Sequence, residues 1–584
     1  MLKVKFVGAV EGVSGSCTWL HHTDSDTQFL VDCGMNQGST LDAWKNNQPF
    51  PFNPSQIKYV LLTHAHIDHC GLIPKLVKEN FCGVIYATRA TRELTEIMLR
   101  DSAKVNGTPN HIKLIESINW SILDDDLGFK WGRVIRMAEG LRFSFLRSSH
   151  ILGACCISVS WMVKDAEENF DKESEKNIFF SGDIGSQSDE NPYLPLMKAG
   201  HNPFPNTNFI VTEATYGSRI RSTEIQCAET RRKRLADTIL HTVYNKKGKV
   251  ILPAFSLHRT QELLADLHWW LSEGWASSDQ ADLMGKLVDG KYENPLRICV
   301  DSPLGYKVTE AYKNNLFQRS PNGKYKYLKD PPSDDSCSKF ESFMNDLFEA
   351  QGSFYNCGNL IKLFNPESKQ KPKNVCNKQK KQINKSERKF EVYPVIVASA
   401  GMCGAGPVAE YLERFGNDPA NTIILTGYQS AGTPGRFLME RATIQCSDPE
   451  RLPEGKAEVI DMSGFYSAHA DQNMLLDSLF SLGGYKQSTP AKVLINHGDV
   501  ESKKSLEEAI RKRIALKIPN ERVVNDVNIA DARWIDLNSD EYLPEIPVSD
   551  ASSAEEIKLN MVEIKSEMRE LQKMLAQLLE RIAA

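Results

Sequence analysis

The sequence predicts an alternating α/β protein of several domains, and three observations predict it. Its 584 residues, 41% of them hydrophobic, supply enough apolar side chains for about two to four separate cores. Short apolar runs of strand length alternate with longer stretches of helical periodicity. Most of the apolar runs end in turn residues or in side chains able to bind metal, and alternating α/β folds place function at the carboxyl ends of their strands.

Taken in order, the N-terminal Met1-Leu-Lys-Val-Lys-Phe-Val-Gly8 alternates as a half-buried strand, and Glu11 follows too soon for the apolar core of a signal peptide. Strands are then predicted at Phe29-Leu-Val31, Tyr59 to Leu62, Gly83-Val-Ile-Tyr86, Phe143-Ser-Phe145 and Phe179-Phe180, with helices at Ile73 to Glu79 and Arg89 to Val105. A second series follows at Val250-Ile-Leu252, Arg297-Ile-Cys-Val300, Val395-Ile-Val-Ala398 and Thr422-Ile-Ile-Leu425, most of them followed by a turn and a helix. Lys164 to Lys176 is a charged interruption and predicts a long solvated hairpin tip. Residues 366–389 carry eight lysines and an arginine against two glutamates, which predicts an inserted basic loop, either plain solvated surface or a contact for a phosphate backbone. Arg231-Arg-Lys-Arg234, at the start of a predicted helix, reads as a solvated face. The turn Gly401 to Gly406 ahead of the helical run Val408 to Phe415 is either a plain connection or a cradle of amides for a phosphate.

The tail behaves differently. Ile557, Met561, Ile564, Met568, Leu571, Leu575, Leu578 and Ile582 recur at alternating steps of four and three, behind a capping box at Ser552 and Glu555. This heptad seam over 546–584 predicts self-association, most simply a coiled-coil dimer; the alternative is an amphipathic helix packed on its own domain, which usually carries a wider apolar stripe.

The formal net charge of -5 gives no global basic signature, so a nucleic-acid partner would be held by a local patch or by metal ions. Thirteen cysteines scattered from Cys17 to Cys446 without a CxxC pair read as reduced thiols, and no stretch approaches a membrane span. A cytoplasmic protein with no membrane partner is expected.

The densest chemical signal is His64-Ala-His-Ile-Asp-His69, directly after the run Lys58 to Thr63. His64 and His66 are two apart and in an extended segment project to one side, where they can grip one ion. Asp68 and His69 diverge, which suits a second ion. Zinc accepts imidazole and carboxylate ligands readily, and a hydrolytic site leaves a position open for water. Asp32, His150 and Asp183 are further ligand-type residues at strand ends; singly, each reads as a turn, a cap or a surface residue.

In chain order, Asp32, the His64 to His69 cluster, His150 and Asp183 resemble the motifs of the metallo-β-lactamase fold, a four-layer αββα sandwich with a dinuclear metal site. The motifs Thr212-Glu-Ala-Thr-Tyr-Gly217, Pro253 to Glu262, Val300-Asp-Ser-Pro303, Ala398 to Gly406, Thr426-Gly-Tyr-Gln429, Ser467-Ala-His-Ala-Asp471 and Asn496-His-Gly-Asp499 resemble those of the β-CASP nucleases. The likeness runs from residue 1 to about 520. It implies a sandwich over 1–209 and 431–545, an inserted β-CASP domain over 210–430, and nucleic acid in the cleft between them. It further implies His64, His66 and His150 as ligands of a first zinc, Asp68, His69 and His497 as ligands of a second, and Asp183 as their bridge. Asp32 would orient ligands, His469 would be the general acid with Glu213 as its carboxylate partner, and Arg259 and Ser467 are candidate phosphate contacts. Asp499 departs from the glutamate that many such proteins carry.

The chemistry expected of such a site is hydrolysis of RNA. Two divalent ions sharing a water lower its pKa from 15.7 towards about 7, so that hydroxide attacks phosphorus and leaves a 5′-phosphate and a 3′-hydroxyl. His497 favours RNA, because by resemblance the DNA-processing proteins carry an apolar residue there. A DNA nuclease and a non-catalytic RNA-processing scaffold subunit are the alternatives. A small-molecule hydrolase leaves the insert unexplained.

Overall fold

The structure, a computed structural model, describes residues 1–544 apart from 39, 127, 165–169, 187–206, 431, 448–455, 483–488 and most of 274–295 and 321–392. The basic loop at 366–389 and the heptad tail therefore lie outside the described residues.

Two sheets face each other across one core. In the first, Leu2–Phe6, Thr18–His22 and Thr27–Val31 form an antiparallel meander, and Ile57–Leu61, Val84–Ala87 and Trp120–Ile122 continue it in parallel. Trp534–Asp536 and Glu541–Tyr542 close its other edge. The second sheet runs in the order Val524–Ile529, Ala491–Ile495, Phe209–Thr212, Phe170–Phe180, Cys155–Lys164, Leu141–Arg147, Ile135–Ala138. The period of two read from the N-terminus is the cause of its orientation: Leu2, Val4 and Phe6 are buried, whereas Lys3 and Lys5 point to the other face. They meet Phe143, Phe145, Val159 and Trp161 from the opposite sheet, and each such large side chain contributes about 1.5–3 kcal/mol by leaving water.

Helices cover both outer faces, which completes an αββα sandwich. Leu76 and Leu99, from the helices Ile73–Lys78 and Arg89–Val105, pack on Leu30, Val60 and Ile85. On the other side Leu475, Leu479, Leu506 and Ile510 pack on Phe179, Ile210 and Val493. The helix Arg89–Val105 starts where Thr88 Oγ1 accepts a hydrogen bond from the Thr91 amide at 3.1 Å.

Between residues 212 and 491 the chain builds a third sheet, six strands all parallel, in the order Phe354–Asn356, Ile298–Asp301, Val395–Ala398, Val250–Pro253, Thr422–Leu425, Glu458–Asp461. Its inner strands are buried throughout, as continuous Val/Ile/Leu runs covered by helices on both faces require. Its core is continuous with the sandwich, since Ala90, Leu94, Ile151 and Leu152 belong to the same apolar cluster as Leu263, Leu264 and Tyr312.

Three expectations change. Glu458–Asp461 pairs with Thr422–Leu425, so the inserted sheet ends at residue 461 rather than 430. Part of the charged stretch after Lys164 belongs to a strand from Phe170 on: Phe170 pairs with Lys164, Asp171 with Val163 and Lys176 with Trp161, with a register shift between the last two. Arg231 and Arg232 are buried, because their helix Ala228–Leu240 packs that side against the helix Arg259–Glu273, where carboxylates meet them.

Candidate metal centre and active site

The site forms at one end of the sandwich, where the strands stop. After Ile57–Leu61 the backbone stays extended through His66 (φ −66°, ψ 146°), then turns into the short helix Ile67–Cys70. His64 and His66 therefore face the same way, and the turn swings Asp68 and His69 aside. The turn sits tightly against its neighbours: Ser16 N donates to Asp68 O at 2.7 Å and Cys33 N to His69 O at 2.8 Å. Gly34 lies so close that a Cβ there would stand 1.6 Å from the Asp68 carbonyl oxygen, and no other residue fits.

Two ligand sets result. His66 Nδ1 lies 3.1 Å from His64 Nε2 and 3.0 Å from His150 Nε2, and Asp183 Oδ2 is 3.5 Å and 3.6 Å from those two Nε2 atoms. In the second set His69 Nε2 is 3.1 Å from His497 Nε2 and 3.3 Å from Asp183 Oδ1, and Asp68 Oδ2 is 3.6 Å from His497 Nε2. Asp183 thus turns one oxygen to each set. The residues expected as ligands are all brought together here, and the strand Ala491–Ile495 brings in His497 from 428 residues beyond His69.

Partners outside the two sets fix the imidazoles. Asp32 Oδ2 accepts from His69 Nδ1 at 2.7 Å, while its Oδ1 accepts from the Thr63 amide and hydroxyl at 2.8 and 2.9 Å. His150 Nδ1 donates to Ala468 O at 3.0 Å, which leaves Nε2 with its lone pair facing His66. Burial pulls the pKa values of His64 and His150 well below the usual range and that of His66 to about 4. For His69, burial acts downward but the carboxylates of Asp183 and Asp32 outweigh it and raise the value well above normal. Burial likewise opposes ionisation of Asp183, and the charges of His69 and His497 overcome it.

These residues fit metal ions. His66 Nδ1 faces two other ring nitrogens and can donate to only one of them, so converging lone pairs need a cation between them. Asp183 Oδ1 is buried with no hydrogen-bond partner among the described residues. Ligands about 2.0–2.1 Å from a tetrahedral zinc stand roughly 3.4 Å apart, and the contacts within both sets, 3.0 to 3.6 Å, bracket that value.

A third group adjoins the first two. His469 Nδ1 lies 3.1 Å from Glu213 Oε2 and 3.9 Å from Asp183 Oδ2, and Glu213 Oε1 accepts from the Ile184 amide. Burial lowers the His469 pKa, but the charge of Glu213 and its hydrogen bond outweigh that and push it up to about 9. The segment carrying His469 is pinned along its length. Ser186 Oγ donates to Ser467 O at 2.8 Å, Ala470 N to Ile184 O at 2.8 Å, and Ser467 Oγ to His469 O at 2.7 Å.

The two expected phosphate contacts are placed otherwise. Ser467 spends its hydroxyl on the His469 backbone, and buried Arg259 pairs with Glu262 beside the Tyr466 ring, whose centroid is 5.3 Å away. Sequence reading missed Thr63, which holds Asp32, and Tyr216, whose ring stands edge-on to His469 at 5.8 Å. Thr63 ends the apolar run before His64 and could have been suspected; nothing in the sequence singles out Tyr216 within its motif. Asp499 caps the helix Val500–Leu516 by accepting from Ser502 N at 2.7 Å, a role for which its short side chain suits it.

Residues 10–141 match the profile of the metallo-beta-lactamase superfamily and residues 260–438 that of the Beta-Casp domain. The chain thus carries both a metallo-β-lactamase domain and a Beta-Casp domain. Ribonuclease TTHA0252 of Thermus thermophilus is 27% identical over 501 residues, covering 85% of this chain and 92% of that protein. The transcription termination factor FttA of Lokiarchaeum sp. is 25% identical over 520 residues, 88% of this chain and 69% of its own length. The FttA of Methanosarcina mazei is 25% identical over 534 residues, 88% and 70% respectively.

Proposed function

We propose that this protein is a zinc-dependent ribonuclease that hydrolyses RNA phosphodiester bonds and leaves a 5′-phosphate and a 3′-hydroxyl. The observation that carries the reading is the His469–Glu213 pair held 3.9 Å from the carboxylate shared by both ligand sets. A small-molecule hydrolase has less need of a proton donor placed beside the centre. RNA is favoured over DNA by the relatives named a ribonuclease and transcription termination factors.

His64, His66 and His150 would hold one zinc ion and Asp68, His69 and His497 a second, with Asp183 between them. Bound there, the ions supply positive charge that acidifies water and offsets the charge building on the phosphate oxygens. Burial works against ionisation of Asp68, but its contact with His497 keeps the carboxylate ionised, ready to take the proton that the attacking water gives up. As oxygen adds to phosphorus, the bond from phosphorus to the 3′-oxygen breaks and its electron pair stays on that oxygen. His469 donates the proton this oxygen needs from Nε2, because Nδ1 is held by Glu213. Glu213 stabilises the charged imidazolium and fixes the ring.

A coiled-coil dimer through 546–584 and a cytoplasmic location complete the reading. The heptad spacing supports the first. For the second, no helix among the described residues is long and apolar enough to cross a membrane, which is compatible with it. Incubating zinc-loaded protein with end-labelled RNA and matched DNA tests the activity. RNA fragments bearing 5′-phosphates are expected; fragments with 5′-hydroxyls, or cutting of DNA alone, would overturn it.

A further inference from the structure

Half of the basic run at 231–234 departs from the solvated face its composition predicts, since Arg231 and Arg232 are buried while Lys233 and Arg234 stay exposed, and what buries Arg231 leads to the segment that carries His469. Arg231 Nε and Nη2 form a paired contact with Asp266 Oδ2 and Oδ1 at 2.7 and 3.0 Å, and Arg231 Nη1 is 3.5 Å from Glu262 Oε1. Arg259 binds the other oxygen of Glu262. Both guanidinium groups face one aromatic ring, that of Tyr466, at 5.0 Å for Arg231 and 5.3 Å for Arg259. Tyr466 is fully buried, with 1% of its surface exposed, and it belongs to the core that the inserted domain shares with the sandwich.

Tyr466 stands three residues before His469. Between them, the Ser467 and Ala468 carbonyls accept from Ser186 and from the ligand His150. Beyond His469, Arg221 reaches back to the His469 carbonyl at 3.3 Å and lies 3.5 Å from Asp471. The segment is thus held on the sandwich side by hydrogen bonds and on the inserted-domain side by an aromatic ring that two guanidinium groups face. Cation–π contacts strengthen when desolvated, and the paired Arg231–Asp266 contact restricts where the guanidinium can sit.

We infer that Tyr466 is a positioning residue: the Arg231–Asp266 and Arg259–Glu262 pairs of the inserted domain hold its ring, and through it they set the place of His469 against the leaving oxygen. The inference rests on reading His469 as the proton donor. It gives the inserted domain a part in catalysis besides walling the cleft.

The test compares full-length zinc-loaded wild type with Tyr466→Leu and Tyr466→Phe on two RNAs, one ordinary and one with sulfur in place of the scissile 3′-oxygen. A thiolate leaves without needing a proton, so the second substrate bypasses His469. Tyr466→Leu should lower kcat on ordinary RNA by roughly ten- to a hundredfold, the size of effect a displacement of about 1 Å produces, with KM and zinc content little changed. On the sulfur substrate its loss should be far smaller. Tyr466→Phe keeps the ring and should restore most of the activity. Should the leucine variant fold poorly, Tyr466→Met fills more of the space and supplies the same comparison. Equal losses on both substrates, or a phenylalanine variant as impaired as the leucine one, overturn the inference alone. Wild-type protein that leaves both RNAs intact overturns the ribonuclease reading and this inference with it.

Discussion

His469 and Glu213 differ from the residues of the two ligand sets in what their removal should do. His469→Ala should cut RNA cleavage by roughly a hundred- to ten-thousandfold, the range for loss of a general acid, while bound zinc, measured by metal analysis, stays unchanged. Asp32→Asn should do the reverse: without the acceptor that holds His69 Nδ1, zinc affinity should fall by about ten- to a hundredfold, read by competition with a chromophoric chelator. The same residues set the pH behaviour of the metal-stripped protein. His469 is raised to about 9 from 6.5, so the folded state binds its proton more tightly than the unfolded chain does. That contribution is complete below pH 6.5 and is lost as pH rises through about 9. Burial takes His66 down to about 4, so its contribution is present above pH 6.5 and is lost as pH falls towards 4. Melting temperature against pH should therefore pass a maximum, and His469→Ala should shrink the alkaline limb, to which the raised His69 also contributes, while leaving the acid one. At this scale residue type and local spacing made the His64 to His69 cluster legible, whereas His150, Asp183 and His497 stood out only through the likeness to the family motifs. The sequence was poorly legible for Arg259 and Ser467, whose partners are chosen by packing.

Among elements, those with strong local signals came out as read. The helix Arg89–Val105 has its cap, and the Val395 and Thr422 runs are buried parallel strands. The charged hairpin did not, because a strand paired to Cys155–Lys164 tolerates Asp171 and Lys176 where its ladder partner, rather than its own composition, sets the register. The helix Val500–Leu516 matters to the site because it starts two residues after His497's neighbouring glycine. Asp499→Ala should cost about 1 kcal/mol through loss of the cap, measured by denaturant unfolding. The extra disorder at its first turn should also weaken zinc binding, because His497 sits at a strained positive φ of 50° just before it.

For the whole molecule, the inserted domain and the sandwich share a core rather than meeting only at a cleft, so they should unfold as one unit in calorimetry, with a single transition that moves upward when zinc is bound. A chain ending at residue 545 should be a monomer by light scattering where the full-length protein is a dimer, and the same mass for both would remove the heptad tail as an assembly element. The sequence by itself determined the alternating α/β class and the His64 to His69 cluster at a strand end, because periodicity and side-chain chemistry are local properties. Only the tertiary structure decided which oxygen of Asp183 serves which ligand set, where the inserted sheet ends, and that Arg231 is buried against Asp266. Those depend on contacts between residues far apart in the chain, and a basic run has the same local appearance whether solvent or a carboxylate receives it.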